Sequence, residues 1–554
     1  MKNNIKLRIT GILLILFSLT LISCRQSDDH ITDPGAGTGQ TEVRINLKGS
    51  DFTDEGSLGI QNAVKGINEI GELVVQTEEV LFHNNDDYKL VATLTPESSN
   101  SNKKAGITAV NPIPNGIRYN VAVFDSSGKY VTERIYFTGN EGSMPAITGL
   151  NGGSTYTFIV YSIGTATGLP AISFTDPNNK TLATASVNSS GNVDLMYFSK
   201  TITLTGNNTN YLDVILQHKF SQITTTLDAR PTNYYTITSI TNASIAPHNS
   251  NASLKLSDGS TSFTNSTSRA LTFTGSGMTL SANPVLIATP TTTNGEFNIG
   301  TAVLQKSNGF QVTHQNIKMN SLKITPGVKY NLKLSFIPND RYITNFRGYP
   351  AVSINGVIFM RHNLGATTSA NPDIPSLAIA GNYYQWGKKN PVATSSTSIA
   401  PIPGWDATTI PPSNAWNSGT ELSPVKNSLN DPCPTGWRVL SRQERFILLD
   451  NTTYSYTGNA NTPNIGSAAG VLTSKFNAGV KITLPFTGFR DGADGRFSHA
   501  ATGDGTSPLI DGNYWNADNN IFTLFNTTSI GSFIPGGSVA RRATPIRCVA
   551  EYPY

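Results

Sequence analysis

Three kinds of chemistry are open to the side chains of this chain. Cys433 stands between Pro432 and Pro434 in DPCPTGWRVLSRQE (431–444), and Cys548 in PIRCVAEY is the other thiol of the last third of the sequence. Such a pair either closes a disulfide or, left reduced, offers thiolates for metal or redox chemistry. Asp491, Asp494, Asp504 and Asp511 are hard oxygen donors of the kind that suits Ca²⁺, set in glycine-rich stretches. The spacing DGADG (491–495) fits no EF-hand, and the same composition is that of a turn, which is the preferred reading. Arg490, Asp491, Asp494, Arg496, Tyr514, Trp515 and Asn516 mix charge, amide and aromatic surface. Side chains of that mixture on firmly held loops are expected to contact a ligand, with Tyr514 and Trp515 as a stacking face and the Asn516 amide beside them. The competing reading buries Trp515 in a core, the commoner fate of tryptophan. No catalytic residue is assigned: His362 and His499, the histidines of this region, sit in no nucleophile motif. His218, in LQHKFSQI, has no second ligand near it in sequence and reads as a strand histidine.

These groups need a scaffold, and composition says which kind. The chain has 554 residues, 14% charged and 38% hydrophobic, with a net charge of +4. Charge is well below the ~25% usual in soluble domains. Thr, Ser, Asn and Gly stand in its place, which favours strands and turns. The basic pairs Lys388-Lys389 and Arg541-Arg542 are too short for a nucleic-acid footprint. At the N-terminus, Lys2, Lys6 and Arg8 precede an apolar run, 9–19, too short to span a bilayer. The following LISC (21–24) resembles the lipobox of bacterial lipoproteins. That resemblance implies a signal peptide over 1–23 and acylation of Cys24, with anchoring to the outer membrane. Ser27-Asp28-Asp29 resembles the acidic export signal of surface lipoproteins in the Bacteroidetes, and 24–41 reads as a flexible tether. In an exported chain two remaining cysteines most often pair, so Cys433 and Cys548 are expected to form a disulfide.

From residue 42 to about 340, short segments of period-two alternation are bounded by Gly, Pro, Asn and Asp. RYNVAVF (118–124), TYTFIVY (155–161), YLDVIL (211–216) and KYNLKLSF (329–336) are examples, and FDSSGKYV (124–131) reads as a hairpin. GIRYNVAVFDSSGKYV, NGGSTYTFIVYS, YLDVILQHKFSQITTTLDA and LKITPGVKYNLKLSF resemble the successive blocks of the fimbrillin family of Bacteroidetes. The resemblance implies two tandem transthyretin-like β-sandwiches, placed here at 42–200 and 201–340. It also implies joining of fimbrial subunits by donor-strand exchange, in which a protease removes the N-terminal strand and a neighbour's strand fills the groove. Arg44, just before Ile45-Asn46-Leu47, is the expected cleavage site; the alternative is a permanent strand.

All five tryptophans lie in the last third. A separate domain, 345–554, is therefore expected, with its own core. Gly436 permits a tight turn, Trp437-Arg438-Val439 a short strand, and Ser441 with Glu444 a capping box opening a helix whose apolar face is Phe446, Ile447 and Leu449. MRHNLGA (360–366), YYQWGKKNP (383–391), DPCPTGWRVLSRQE, LPFTGFRDGADG (484–495), GNYWN (512–516) and RCV (547–549) resemble the Fibrobacter succinogenes major paralogous domain. That family is similar to C-type-lectin-like and formylglycine-generating-enzyme-like folds, so the resemblance implies an α+β domain behind the two sandwiches of a mainly β chain. Leu440 departs from the proline common after WRV, which loosens one corner only. The enzyme reading needs free thiols and copper, and a Cys433–Cys548 bond removes both. No cofactor is therefore expected, with Ca²⁺ the weighed exception. The function expected is that of a fimbrial tip or accessory adhesin: it accepts a donor strand from another subunit and presents a recognition domain to a glycan or to a host or neighbouring-cell protein. A surface lipoprotein that binds glycan or host matrix without polymerising is the alternative.

Overall fold

The structure is a computed structural model that describes residues 39–53, 75–82, 87–97, 110–233, 235–306, 309, 311–499, 510–525, 527, 530–533 and 540–551. Cys24, the leader before it, most of the tether and Asp504 lie outside the described residues. The chain is mainly β, with one α-helix among the described residues.

The first sandwich is a single sheet folded on itself. Its strand order is Tyr130–Phe137, Arg118–Asp125, Thr155–Ser162, Met196–Thr203, Thr209–His218, β1 (Gln40–Asp51), Ile147–Asn151. Met196–Thr203 and Thr209–His218 pair only at Met196↔His218 and Tyr197↔Gln217. Beyond that mouth the sheet parts into two leaves, and Val43, Ile45, Val121, Phe158, Val160, Leu212 and Val214 fill the space between them. The FDSSGKYV hairpin forms as read: Phe124 faces Tyr130, and the Asp125 carboxylate accepts the Ser127 and Lys129 N–H groups at 2.9 Å each.

The second sandwich has two sheets. One runs Thr279–Ser281, Ser221–Asp228, Lys329–Pro338, Tyr88–Pro96, Gln76–Leu81. The other is built on Tyr235–Thr241, Thr292–Lys306, Ala243–Lys255, Ala185–Ser190 and Ser173–Phe174, with Thr261–Leu271 and Gln311–Ile324 added. Between them lie Leu90, Leu94, Ile223, Phe297, Ile299, Leu332, Leu334 and Phe336. The expected division at 200/201 therefore does not coincide with the sheets. Strands Gln76–Leu81, Tyr88–Pro96, Ser173–Phe174 and Ala185–Ser190 join the second sandwich, and strand Thr209–His218 the first. Alternation identifies a strand and its buried face but carries no information about a distant partner.

Arg341–Phe346 already pairs with Tyr349–Ile354, so the third unit begins at Arg341, slightly before the expected 345. A five-stranded sheet orders Arg341–Phe346, Tyr349–Ile354, Val357–Met360, Cys548–Ala550 and Trp437–Val439, bringing the beginning, middle and end of the domain together. Smaller sheets and long loops surround it. Hydrogen bonds tie the domain to the second sandwich. Buried Asp340 accepts Asn355 N–H at 2.7 Å and Ser474 Oγ–H at 2.6 Å, and Asn355 Nδ2 donates to Thr232 O at 3.1 Å.

Candidate functional site

The segment 431–444 is a structural knot. Asp431 is buried, and its two carboxylate oxygens accept Cys433 N–H at 2.8 Å and Val439 N–H at 2.9 Å, so one side chain closes the whole CPTGWRV turn. Lys426 Nζ donates to the carbonyls of Cys433, Pro434 and Trp437 at 2.7, 2.9 and 2.6 Å. Gly436 has φ +80°, as a left-handed position requires. The Cys433–Cys548 disulfide is formed, with Cα atoms 6.1 Å apart. Trp437–Val439 pairs directly with Cys548–Ala550. The helix α1 (Arg442–Asp450) starts on Ser441 with both capping-box bonds in place. Its buried face is Glu444, Arg445, Ile447 and Leu448, and Phe446 is exposed, under the guanidinium groups of Arg442 and Arg445. The correction follows from helix geometry: 444, 447 and 448 share one side, and 446 points away from them. Glu444 is buried because the Arg438 guanidinium pairs with it.

The expected ligand-contacting residues are not gathered on a surface. Arg490 is fully buried, donating to the carbonyls of Ser398 and Thr397 at 2.6 and 2.8 Å and lying over the rings of Tyr383 and Phe497. Tyr514 is buried, its hydroxyl donating to Pro485 O at 2.7 Å. Trp515 is buried against Trp386 and Trp416, and its Nε1–H donates to Tyr384 O at 2.9 Å. Asn516 is buried with them. The stacking face expected of Tyr514, Trp515 and Asn516 is thus the interior of the domain, because β-alternation in a strand covered on both sides leaves no wet face. Asp491 and Asp494 close their own turn: Asp491 Oδ1 accepts Ala493 N–H at 2.9 Å, and Asp494 forms an exposed ion pair with Arg496. Among the described residues no group of three His, Cys, Asp or Glu side chains gathers as a metal cage.

His218 is also accounted for. Its Nδ1 is 2.7 Å from Asp194 Oδ1, and the ring of Phe52, directly after β1, stacks on it at 3.8 Å.

Burial raises the carboxyls of Asp340, Asp431 and Asp511, the last two furthest. Burial raises Asp431 to about 6 and Asp511 to about 7, and Asp511 Oδ2 has no hydrogen-bond partner. Both values exceed the ~3.9 of an unfolded aspartate, so between those limits the folded state binds more protons than the unfolded one. Stability then falls as pH rises through about 6 to 7. Buried His248 and His314, both lowered to about 4 by burial, act in the opposite sense below the ordinary histidine value. The informative quantity is therefore a difference. Relative to Asp511→Asn, the wild-type protein is expected to lose thermal stability between pH 5 and pH 8. At ~1.4 kcal/mol per tenfold preference, the swing is on the order of 2–4 kcal/mol. A pH-independent difference in melting temperature between the two would refute the assignment.

A surface that sequence reading passed over lies in the long loops 395–431. Ile399, Ile410, Leu422, Val425 and Leu429 are exposed there, Leu429 at 80% and Ile399 at 70%. The backbone beneath them is held: Trp416 Nε1 donates to Asn430 O, Lys389 Nζ to Ser428 O, Gln385 Nε2 to Asp406 O, and Asn417 Oδ1 accepts both Gly419 and Val425 N–H groups. Binding residues are disproportionately carried on loops held by a rigid scaffold, which makes these exposed side chains candidates for contact. The available signal was isoleucine and leucine scattered without period through a Pro/Ser/Asn-rich stretch.

No family model matches the chain, and no curated protein matches it. Among solved structures, the fimbrial anchor protein Mfa2 from Porphyromonas gingivalis is similar at 12% identity, covering 57% of this chain and 99% of that one, with a TM-score of 0.27. A protein from Bacteroides fragilis, provisionally described as a cell adhesion protein, is 14% identical over 56% of this chain and 96% of its own, with a TM-score of 0.29. Another so described, from Bacteroides eggerthii, is 12% identical over 54% and 88%, with a TM-score of 0.28.

Proposed function

We propose that this chain is a cell-surface fimbrial subunit of the tip or accessory kind. It is held at the outer membrane through acylated Cys24 until processed, accepts a strand from a neighbouring subunit, and presents its C-terminal domain to a glycan or to a protein on a host or neighbouring cell. The observation that carries this reading is an asymmetry between two strands. β1, the first described strand, lies inside a leaf, parallel to Thr209–His218 along nine residue pairs and antiparallel to Ile147–Asn151. Its departure would open a groove with unpaired main-chain groups on both sides and an apolar floor where Val43 and Ile45 had been, the template that β-augmentation uses. Cys548–Ala550, the last described strand, lies between Val357–Met360 and Trp437–Val439 and is bonded through Cys548. A strand so held is not free to be given to a neighbour.

Arg44 needs a correction as the cleavage point. Its main chain is in the ladder opposite Tyr211, and a protease requires an unpaired extended segment. Cleavage therefore either follows β1 release or takes place at another bond. Release also has to break the Phe52–His218 stack. The alternative reading, a lipoprotein with β1 in place that binds ligand without polymerising, is favoured by how deeply Val43 and Ile45 are buried. N-terminal sequencing of sheared surface fibres separates the two. Recovery of this chain in fibres with its N-terminus at Ile45 or further along the chain supports polymerisation. Recovery solely in membranes, acylated and uncut, supports the alternative and removes the tip reading.

The recognition surface of the C-terminal domain is assigned to the pinned loops 395–431. Substituting Leu422 and Leu429 together with Ser is expected to reduce attachment to host or neighbouring cells several-fold with an unchanged melting temperature, since both side chains are exposed. Full attachment by that variant would move the surface elsewhere.

A further inference from the structure

The second sandwich carries a groove of about 460 Å³ on the outer face of Ala185–Ser190, Ala243–Lys255 and Thr261–Leu271. Its lining comes in two rows fixed by strand register. Ser190, Asn251 and Thr264 face one another across the three strands, and so do Asn188, Ser253 and Ser262. Adjacent strands lie ~4.8 Å apart and same-face residues ~6.8 Å apart along a strand. The result is a grid of six short hydroxyl and amide side chains, each able both to donate and to accept. The side chains of Asn188, Asn251, Ser253 and Thr264 have no hydrogen-bond partner among the described residues, so their capacity is open to a ligand.

Charge narrows the ligand class. Other exposed sheet faces of this chain carry ion pairs: Lys89 with Glu79, Lys329 with Glu97, Lys333 with Asp228, Lys48 with Asp213. The grid carries none. The charges nearest it along the same strands are engaged, Lys255 with Asp258 and Arg269 with Asn192 Oδ1. None of the six grid side chains offers a counter-charge to an anionic or cationic ligand, the nearest, Lys255, lying at one end of the grid beside Asp258, and an apolar ligand would strand the amides without partners. A neutral chain of hydroxyl groups satisfies both donors and acceptors.

The platform is also stiff. Val187, Ala252 and Leu254 on its reverse side pack against Ala122, Phe124, Ile159 and Tyr161 of the first sandwich. The rim is held by Gly191 N–H bonded to Ser250 O at 2.8 Å, where a Cβ on Gly191 would come within 1.8 Å of Asn249 O. A rigid surface loses little entropy when a ligand orders on it.

We propose that this face binds a neutral oligosaccharide lying across the three strands, at a site separate from the C-terminal recognition domain. Isothermal titration of the full-length protein with cellohexaose, maltohexaose and mannohexaose, with an oligogalacturonate of equal length as the anionic arm, tests it. At least one neutral hexamer is expected to bind. Asn251→Ala should weaken it on the order of tenfold, the equivalent of one or two hydrogen bonds at ~1 kcal/mol each. Ser253→Tyr, which fills the centre of the groove, should abolish it. Thr264→Val should also weaken binding, and the melting temperature of each variant should be unchanged because Asn251 and Thr264 are exposed and Ser253 faces outward. The Leu422/Leu429 variant should bind the same sugar normally, which keeps this site distinct from the C-terminal domain. No neutral hexamer binding at millimolar concentration, equal binding of the anionic oligomer, or binding unaffected by the three groove substitutions would each overturn the proposal.

Discussion

Trp515→Ala destabilises the C-terminal domain by about 3–5 kcal/mol, the range for emptying a buried aromatic site. Trp515 has no exposed surface and forms one corner of a tryptophan cluster, 5.6 Å from Trp386 and 6.3 Å from Trp416 between ring centroids. Its removal leaves a cavity that two rigid indoles cannot collapse to fill. It also deprives buried Tyr384 O of the indole N–H at 2.9 Å, and an unsatisfied buried acceptor adds its own desolvation penalty. In a domain of this size each kcal/mol lowers the melting temperature by ~2–4 °C. The transition assigned to the C-terminal domain should therefore fall by roughly 6–20 °C in calorimetry of the full chain. Trp515→Phe should lose less, since it keeps most of the volume. A melting temperature within about 2 °C of wild type would return Trp515 to the surface role first expected of it.

The second large effect belongs to the disulfide. Cys433 and Cys548 are 115 residues apart, and closing a loop of that length restricts the unfolded chain enough to contribute roughly 4–5 kcal/mol. The double variant Cys433→Ala/Cys548→Ala should shift the denaturant midpoint of the C-terminal domain by that energy divided by the denaturant slope, without changing the sandwiches. Alanine is the appropriate replacement, because both sites are buried and a serine hydroxyl would add a separate penalty. Alkylation of both thiols in unreduced protein, or an unchanged midpoint, would contradict the bond. The bond does not work alone: Lys426 and Asp431 hold the same turn from either side. Some local order is therefore expected to survive its loss.

Local signals in the sequence were sufficient for local structure. Ser441 and Glu444 are three apart and form the capping box they spell, and the Ser-Gly turn at 127–128 closes the hairpin expected of it. Period-two alternation in 118–124, 155–161 and 329–336 marked real strands, since side-chain direction in a strand depends only on the chain itself. The pairing of Cys433 with Cys548 was accessible too, as a matter of compartment and count.

Partnership and burial were decided in three dimensions. Nothing within Tyr88–Pro96 states that it pairs with Lys329–Pro338, and nothing within Ala185–Ser190 that it joins Ala243–Lys255; those contacts made the 200/201 division fail. The loop residues chosen for ligand contact failed for a related reason. Arg490, Tyr514, Trp515 and Asn516 have polar groups that read as available, and the fold brings carbonyls from 397, 398, 485 and 384, remote in sequence, to the two terminal guanidinium nitrogens of Arg490, the Tyr514 hydroxyl and the Trp515 indole N–H. Conversely, the grid of Asn188, Ser190, Asn251, Ser253, Ser262 and Thr264 looks like ordinary turn composition until register sets three strands side by side. Side-chain type and chain direction are properties of the sequence alone. Which polar groups keep free bonding capacity depends on what distant segments bring to them, and only the tertiary structure decides that.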